Sequence, residues 1–98
     1  MKKVALITGA RGGIGSAITT ALLAQGYRII ATHSSPNGAA AHDWYGEQGF
    51  RPDQVRLLAL DVADTAMCRD TLGRLLQDEG RVDVLVNNAG ITRDGAFK

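Results

Sequence analysis

Four short apolar runs punctuate the chain, at residues 4–8 (VALIT), 28–32 (RIIAT), 55–61 (VRLLALD) and 82–87 (VDVLVN). Apart from single charges near their starts, none alternates apolar with polar positions. That pattern predicts β-strands covered on both faces. Three stretches of helical period lie between them. Residues 14–25 align Ile14, Ile18, Ala21, Leu22 and Gln25 in one stripe, and Gly26 follows as a stop. Residues 64–79 open on Asp64, a good N-cap, align Cys68, Leu72, Leu75 and Leu76, and end at Gly80. The middle stretch, about 37–48, is weaker: Ser-Ser-Pro-Asn-Gly reads as a turn into a helix whose apolar side is Ala40, Ala41, Trp44 and Tyr45. The resulting order is β-α-β-α-β-α-β. Helical crossovers between buried strands require parallel pairing, so the expected fold is α/β and doubly wound, with ligands outside the C-terminal strand ends.

Composition narrows the function classes. The 98 residues are 45% apolar and 21% charged, as in globular proteins. Net charge is +1 and the 11 basic residues are scattered, which argues against nucleic acid or a membrane surface as partner. The single Cys68 cannot form an internal disulfide; it suits the buried face of a helix, and no Cys/His cluster suggests a metal. The opening Met-Lys-Lys and its short apolar run break off too early, at Thr8-Gly9 and Arg11, for a signal peptide, and no stretch is long enough to span a membrane. The expectation is a soluble cytoplasmic protein.

Chemistry concentrates at the predicted strand ends. After the first comes Thr-Gly-Ala-Arg-Gly-Gly-Ile-Gly, residues 8–15. Gly9 permits a tight turn, Gly13 lets the backbone approach a ligand, and Gly15 is expected to let the following helix pack close to the sheet. With the helix starting near Gly13–Ile14, its unpaired N–H groups and positive dipole end make an anion site suited to a pyrophosphate. A Walker A loop is excluded, because no Gly-Lys-Ser/Thr follows. Sites for NAD commonly place Asp or Glu at the end of the second strand. Here that region offers Thr32, His33, Ser34 and Ser35 and no carboxylate, while Arg11 brings a positive charge from the loop. NADP, with its 2′-phosphate, is favoured over NAD, although the same segment could simply cap the second helix. Asp61 ends the third run, placed to accept from an adenine amino group with Val62 beside the ring, or else merely to lead into the next helix. Asn87 and Asn88 end the fourth run and could bridge backbone groups across the cleft, and Ala89 and Gly90 keep that wall thin.

Together, TGARGGIG, LDV and NNAG, in this order and at these intervals, resemble the classical short-chain dehydrogenase/reductase family. The resemblance covers the whole chain but less than half of a typical family domain. It implies the N-terminal half of a Rossmann fold with strand order 3-2-1-4, residues 1–98 forming a partial NAD(P)-binding domain that lacks its catalytic part. It assigns the pyrophosphate to Gly9, Gly12, Gly13, Ile14 and Gly15, adenine to Asp61 and Val62, and the adenosine side of the cleft to Asn88, Ala89 and Gly90. Asn87 is expected to stabilise the sheet. Within the family, VDVLVNNAGITRD looks most like reductases of 3-oxoacyl thioesters, which implies NADPH as cofactor and Asp94 near the substrate entrance. Gly12-Gly13 before Ile-Gly, and Trp44, lean toward acetoacetyl-CoA as substrate. ATHSSPNGA instead resembles enzymes of the 3-oxoacyl carrier protein. The family also implies a homotetramer. Its Tyr-x-x-x-Lys and orienting Ser are not in these residues: Tyr27 is followed four later by Ala31, and Tyr45 by Gly49. Those groups are expected beyond Lys98. The 98 residues alone are then expected to be marginally folded, with the fourth strand a bare apolar edge, to bind NADPH weakly and to reduce nothing. An alternative of another class is a non-catalytic nucleotide-binding module completed by a partner chain.

Overall fold

Every residue of the first strand, β1 (Val4–Thr8), is buried, because it runs through the middle of the sheet with helices on both faces. The computed structural model describes residues 2–34 and 38–88. Helix α1 (Gly13–Ala24) leads to β2 (Arg28–His33), α2 (Gly38–Glu47) to β3 (Val55–Ala59), and α3 (Thr65–Glu79) to β4 (Val84–Asn87). All pairings are parallel and the order is β3-β2-β1-β4, as the sequence predicts. Register sets Ile7 beside Ala31 and Val86, and Thr8 beside Asn87. The strand ends that carry the candidate chemistry therefore finish on one rim.

Side-chain parity divides the core in two. Ala5, Ile7, Ile29, Ala31 and Val55 face α1 and α2 and pack with Trp44, Ile18, Leu22 and Leu23. Val4, Leu6 and Ile30 face α3 and meet Leu75. Ile7, Ile29 and Ile30 are fully buried, each contributing about 1.5–3 kcal/mol by removal from water. Coverage on both faces holds for β1 and β2. It does not hold for β3, half-buried beyond Val55, nor for β4, where Leu85 is 64% exposed. These are the outer strands of the described sheet, and Leu85 lies on the same side as the exposed Leu72 and Leu76 of α3.

Local signals fix the helix ends. Asp64 caps α3, its carboxylate accepting from the Met67 N–H at 2.9 Å, and Gly80 ends that helix with φ of 81°. Gly26 turns the chain out of α1 with φ of 88°. The buried stripe of α1 is a correction. Ile14 is 59% exposed and Ala21 and Gln25 are exposed, whereas Gly15 and Thr19 are buried between the half-buried Ile18 and Leu22. Thr19 Oγ1 donates to Gly15 O at 2.8 Å. The helix meets its neighbours through small residues, and its face is rotated accordingly. In α2 the buried residues are Ala41 and Trp44, while Ala40 points outward. In α3 Leu75 alone of the predicted stripe is buried; Cys68 is half-buried.

Candidate cofactor site

The loop after β1 turns at Gly9, whose φ of 60° is a left-handed conformation natural to glycine. Gly12 caps α1 in extended conformation, and the Ser16 N–H closes the first turn onto Gly12 O at 2.7 Å. A Cβ built on Gly12 or Gly13 meets nothing within 4 Å, so space lies open above the helix start. Gly15 differs. Its Cβ would stand 2.5 Å from Ala10 O and 2.7 Å from Gly9 O, both backbone atoms. The close approach that Gly15 allows is therefore to the loop's own carbonyls, not to the sheet as the sequence suggested.

Beside the loop lies a cavity of about 360 Å³ lined by Gly9, Arg11, Gly12, Thr32, His33, Ser34, Leu60, Asp61 and Val62. It thus brings together most of the predicted residues from the ends of β1, β2 and β3. The exposed Arg11 reaches it from the loop, and His33 and Ser34 from the end of β2, where no carboxylate stands. His33 Nδ1 lies 2.8 Å from Ser34 O, so that nitrogen carries the proton. Thr32 is 1% exposed, and its Oγ1 has no partner among the described residues. Its hydroxyl is thus held in the wall, not offered on the surface beside Ser34. Asp61 lies past the end of β3, and its Oδ1 accepts from the Ala63 N–H at 3.0 Å; the carboxylate shapes the turn toward α3 while lining the cavity. Val62 is 43% exposed there. Leu60 was not anticipated. Its only sequence signal is parity, since it continues the inward face of Leu58 past the strand end.

Gly13 and Ile14 stand at the start of α1, outside the cavity lining. On the other side of the loop, Asn88 Nδ2 donates to Gly9 O at 2.7 Å, and Thr8 Oγ1 donates to Val86 O at 3.3 Å and lies 3.2 Å from Asn87 Oδ1. These contacts bridge β1 and β4, so Asn87 ties the sheet as expected, and Asn88 holds the glycine turn with the amide group the sequence assigned to the cleft. Ala89, Gly90 and Asp94 lie outside the described residues, as does Ser35. Among the described residues no group of three His, Cys, Asp or Glu could hold a metal ion, and no helix is long and apolar enough to cross a membrane.

Open glycines at a helix start, a cationic side chain at the lip and a cavity closed by Asp61 and Val62 fit a dinucleotide phosphate with its adenosine beyond. Comparison with known proteins agrees. The profile described as short chain dehydrogenase matches residues 3–98. An acetoacetyl-CoA reductase of Acinetobacter sp. (strain RA3849) is 45% identical over 97 residues, which are 99% of this chain and 39% of that protein. The 3-oxoacyl-[acyl-carrier-protein] reductase FabG of Escherichia coli (strain K12) is 46% identical over 93 residues, 94% of this chain and 36% of that one. The chain thus spans less than two fifths of the length of these relatives. Among solved structures, a blue fluorescent protein from a metagenomic library in complex with NADPH superimposes with a TM-score of 0.74 at 38% identity, over 91% of this chain and 36% of that one. A short-chain dehydrogenase from Streptomyces avermitilis gives a TM-score of 0.77 at 39% identity, over 94% of this chain and 32% of that one.

Proposed function

The chain belongs to the short chain dehydrogenase family, and from that premise we propose that it forms the NADPH-binding half of a reductase site for 3-oxoacyl thioesters. The observation that carries the cofactor choice is the convergence of Arg11, His33 and Ser34 on one cavity with no acid at the end of β2. A 2′-phosphate needs a cation and donors there, whereas a free 2′-hydroxyl needs a carboxylate acceptor. The N–H groups of the loop and the start of α1 hold the pyrophosphate, Asp61 and Val62 take the adenine, and Asn88 keeps Gly9 in its turn. Bound NADPH supplies the hydride that a ketone carbon accepts in such a reduction.

Every further contribution of these residues is binding and orientation. The reduction also needs a proton donor for the carbonyl oxygen. Tyr45 is unsuited: its hydroxyl donates to Val55 O at 2.7 Å, and burial raises its pKa above the usual value. Neither Tyr45 nor Tyr27 is followed by lysine four residues later. Neither tyrosine is therefore assigned the donor role, and NADPH binding without turnover is the behaviour proposed for these 98 residues alone.

As to substrate, acetoacetyl-CoA is favoured over a 3-oxoacyl carrier protein by the Gly12-Gly13 pair and by Trp44 on α2. The experiment is a chimera in which residues 1–98 replace the matching part of the Acinetobacter acetoacetyl-CoA reductase. Consumption of NADPH, and not NADH, with acetoacetyl-CoA is expected. A folded chimera that prefers NADH would overturn the cofactor reading.

A further inference from the structure

Trp44 is the only tryptophan of the chain and is 6% exposed. It lies well away in sequence from the glycine loop, yet its Nε1–H donates to Ser16 Oγ at 2.9 Å. Ser16 Oγ in turn donates to Arg11 O at 3.3 Å, inside the loop. The direction of this chain is fixed by chemistry. An indole nitrogen only donates and a carbonyl only accepts, so the serine hydroxyl must receive from Trp44 and give to Arg11. The serine backbone holds the next carbonyl as well, through its N–H to Gly12 O at 2.7 Å. One residue thus grips two consecutive loop carbonyls, and the indole fixes its rotor.

The indole is itself held firmly. Its ring meets Phe50 edge-to-face at 5.1 Å, and Phe50 meets Tyr45 at 5.7 Å in the same manner. Tyr45 is anchored to the Val55 carbonyl of β3. The orientation of the Arg11 carbonyl matters beyond the loop. Across a planar trans peptide the N–H of the next residue points opposite to the C=O. A carbonyl of Arg11 turned toward Ser16 therefore turns the Gly12 N–H away from it. Gly12 lines the cavity, and its Cβ position is open.

We propose that Trp44 is a positioning residue for the cofactor phosphates, acting through Ser16 to lock the Arg11–Gly12 peptide so that the loop is preorganised before a dinucleotide arrives. The proposal rests on the reading of the loop as a dinucleotide-phosphate site. It places specificity-relevant rigidity on α2, an element that supplies no residue to the cavity among those described. A loop already in its bound geometry loses less conformational freedom on binding, and that difference appears as affinity.

The test uses Trp44→Phe, which keeps an aromatic ring against Phe50, with Ser16→Ala, Ser16→Thr and the double variant Trp44→Phe/Ser16→Ala. Each is titrated with NADPH by calorimetry, and hydrogen exchange of the backbone amide at position 16 is followed in the free protein. Each single loss is expected to weaken NADPH about 3- to 10-fold, the worth of one neutral hydrogen bond. The double variant should be no weaker than the worse single one, because both cut the same relay. Ser16→Thr, which keeps a hydroxyl, should retain affinity. Additive losses, or unchanged affinity in both single variants, would overturn the proposal. If the unaltered chain binds no NADPH, the dinucleotide reading fails, and the relay is judged by exchange alone. Faster exchange at position 16 in Trp44→Phe supports it, and an unchanged rate overturns it.

Discussion

A methyl group added at Gly15 meets Ala10 O at 2.5 Å, whereas one added at Gly13 meets nothing within 4 Å. The two glycines are thus required for different reasons, and their variants should separate stability from binding. Gly15→Ala forces backbone apart and is expected to cost about 1–3 kcal/mol in urea unfolding. Gly13→Ala should leave the fold unchanged or raise stability by up to about 1 kcal/mol, since alanine suits a helix better. It should nevertheless weaken NADPH about tenfold or more, because its methyl would fill the space proposed for the pyrophosphate. Equal effects of both variants on stability would contradict this division. At this scale the sequence was informative where a residue's role is local. The glycine turn at Gly9 and the stop at Gly80 follow from backbone freedom alone. The use of Gly15 did not, because its partner is a carbonyl five residues back that only the folded loop brings near.

Helix α3 shows what holds one element to the others. Glu79, at its last turn, has a side chain 10% exposed and accepts from Arg28 of β2, with Nη2 at 3.1 Å, and from Arg56 Nη1 of β3 at 3.2 Å. The hydrogen bond from Arg28, ahead of other influences, holds its carboxyl below the ordinary 4.5, against the opposing push of burial. A carboxyl whose folded pKa lies below its unfolded value adds stability that is complete above the unfolded value. That stability fades as the pH falls through the folded one. Glu79→Gln should therefore destabilise the chain by about 1–3 kcal/mol at neutral pH, and the gap should close as the pH is lowered below about 4. Urea midpoints of both proteins across that range check it; a constant gap would contradict the pairing. At the other end, Asp64→Ala should remove about 1 kcal/mol through loss of the bond to Met67, measured the same way. These helix ends were legible in the sequence because caps are written within four residues. The buried faces were less so. Gly15 and Thr19 carry no apolar signal, and the exposure of Ile14, Leu72 and Leu76 depends on what lies beside each helix rather than on its own period.

Across the molecule, the parallel pairing and the layering follow from alternating buried runs and helical stretches. The strand order was legible only through the family resemblance, since the same alternation also suits other doubly wound orders. The cavity was also legible, because doubly wound sheets gather their strand ends on one rim. So was a bridge from Asn88 to backbone across the cleft, which its bond to Gly9 O makes. The inward place of Thr32 was not, as it depends on side-chain direction at the strand end. The whole account turns on that cavity taking the phosphorylated dinucleotide. Binding there should also raise the unfolding midpoint, adding about 2.7 kcal/mol when NADPH is present at a hundred times its Kd. The most direct measurement is calorimetric titration of the chain and of Arg11→Ala with NADPH and with NADH. NADPH should bind the unaltered chain about tenfold or more tightly than NADH, and Arg11→Ala should lose most of that preference while still binding NADH, since one charge-assisted contact is worth about 1.5–3 kcal/mol. Tighter binding of NADH, or a preference for NADPH that survives the loss of Arg11, would contradict the account.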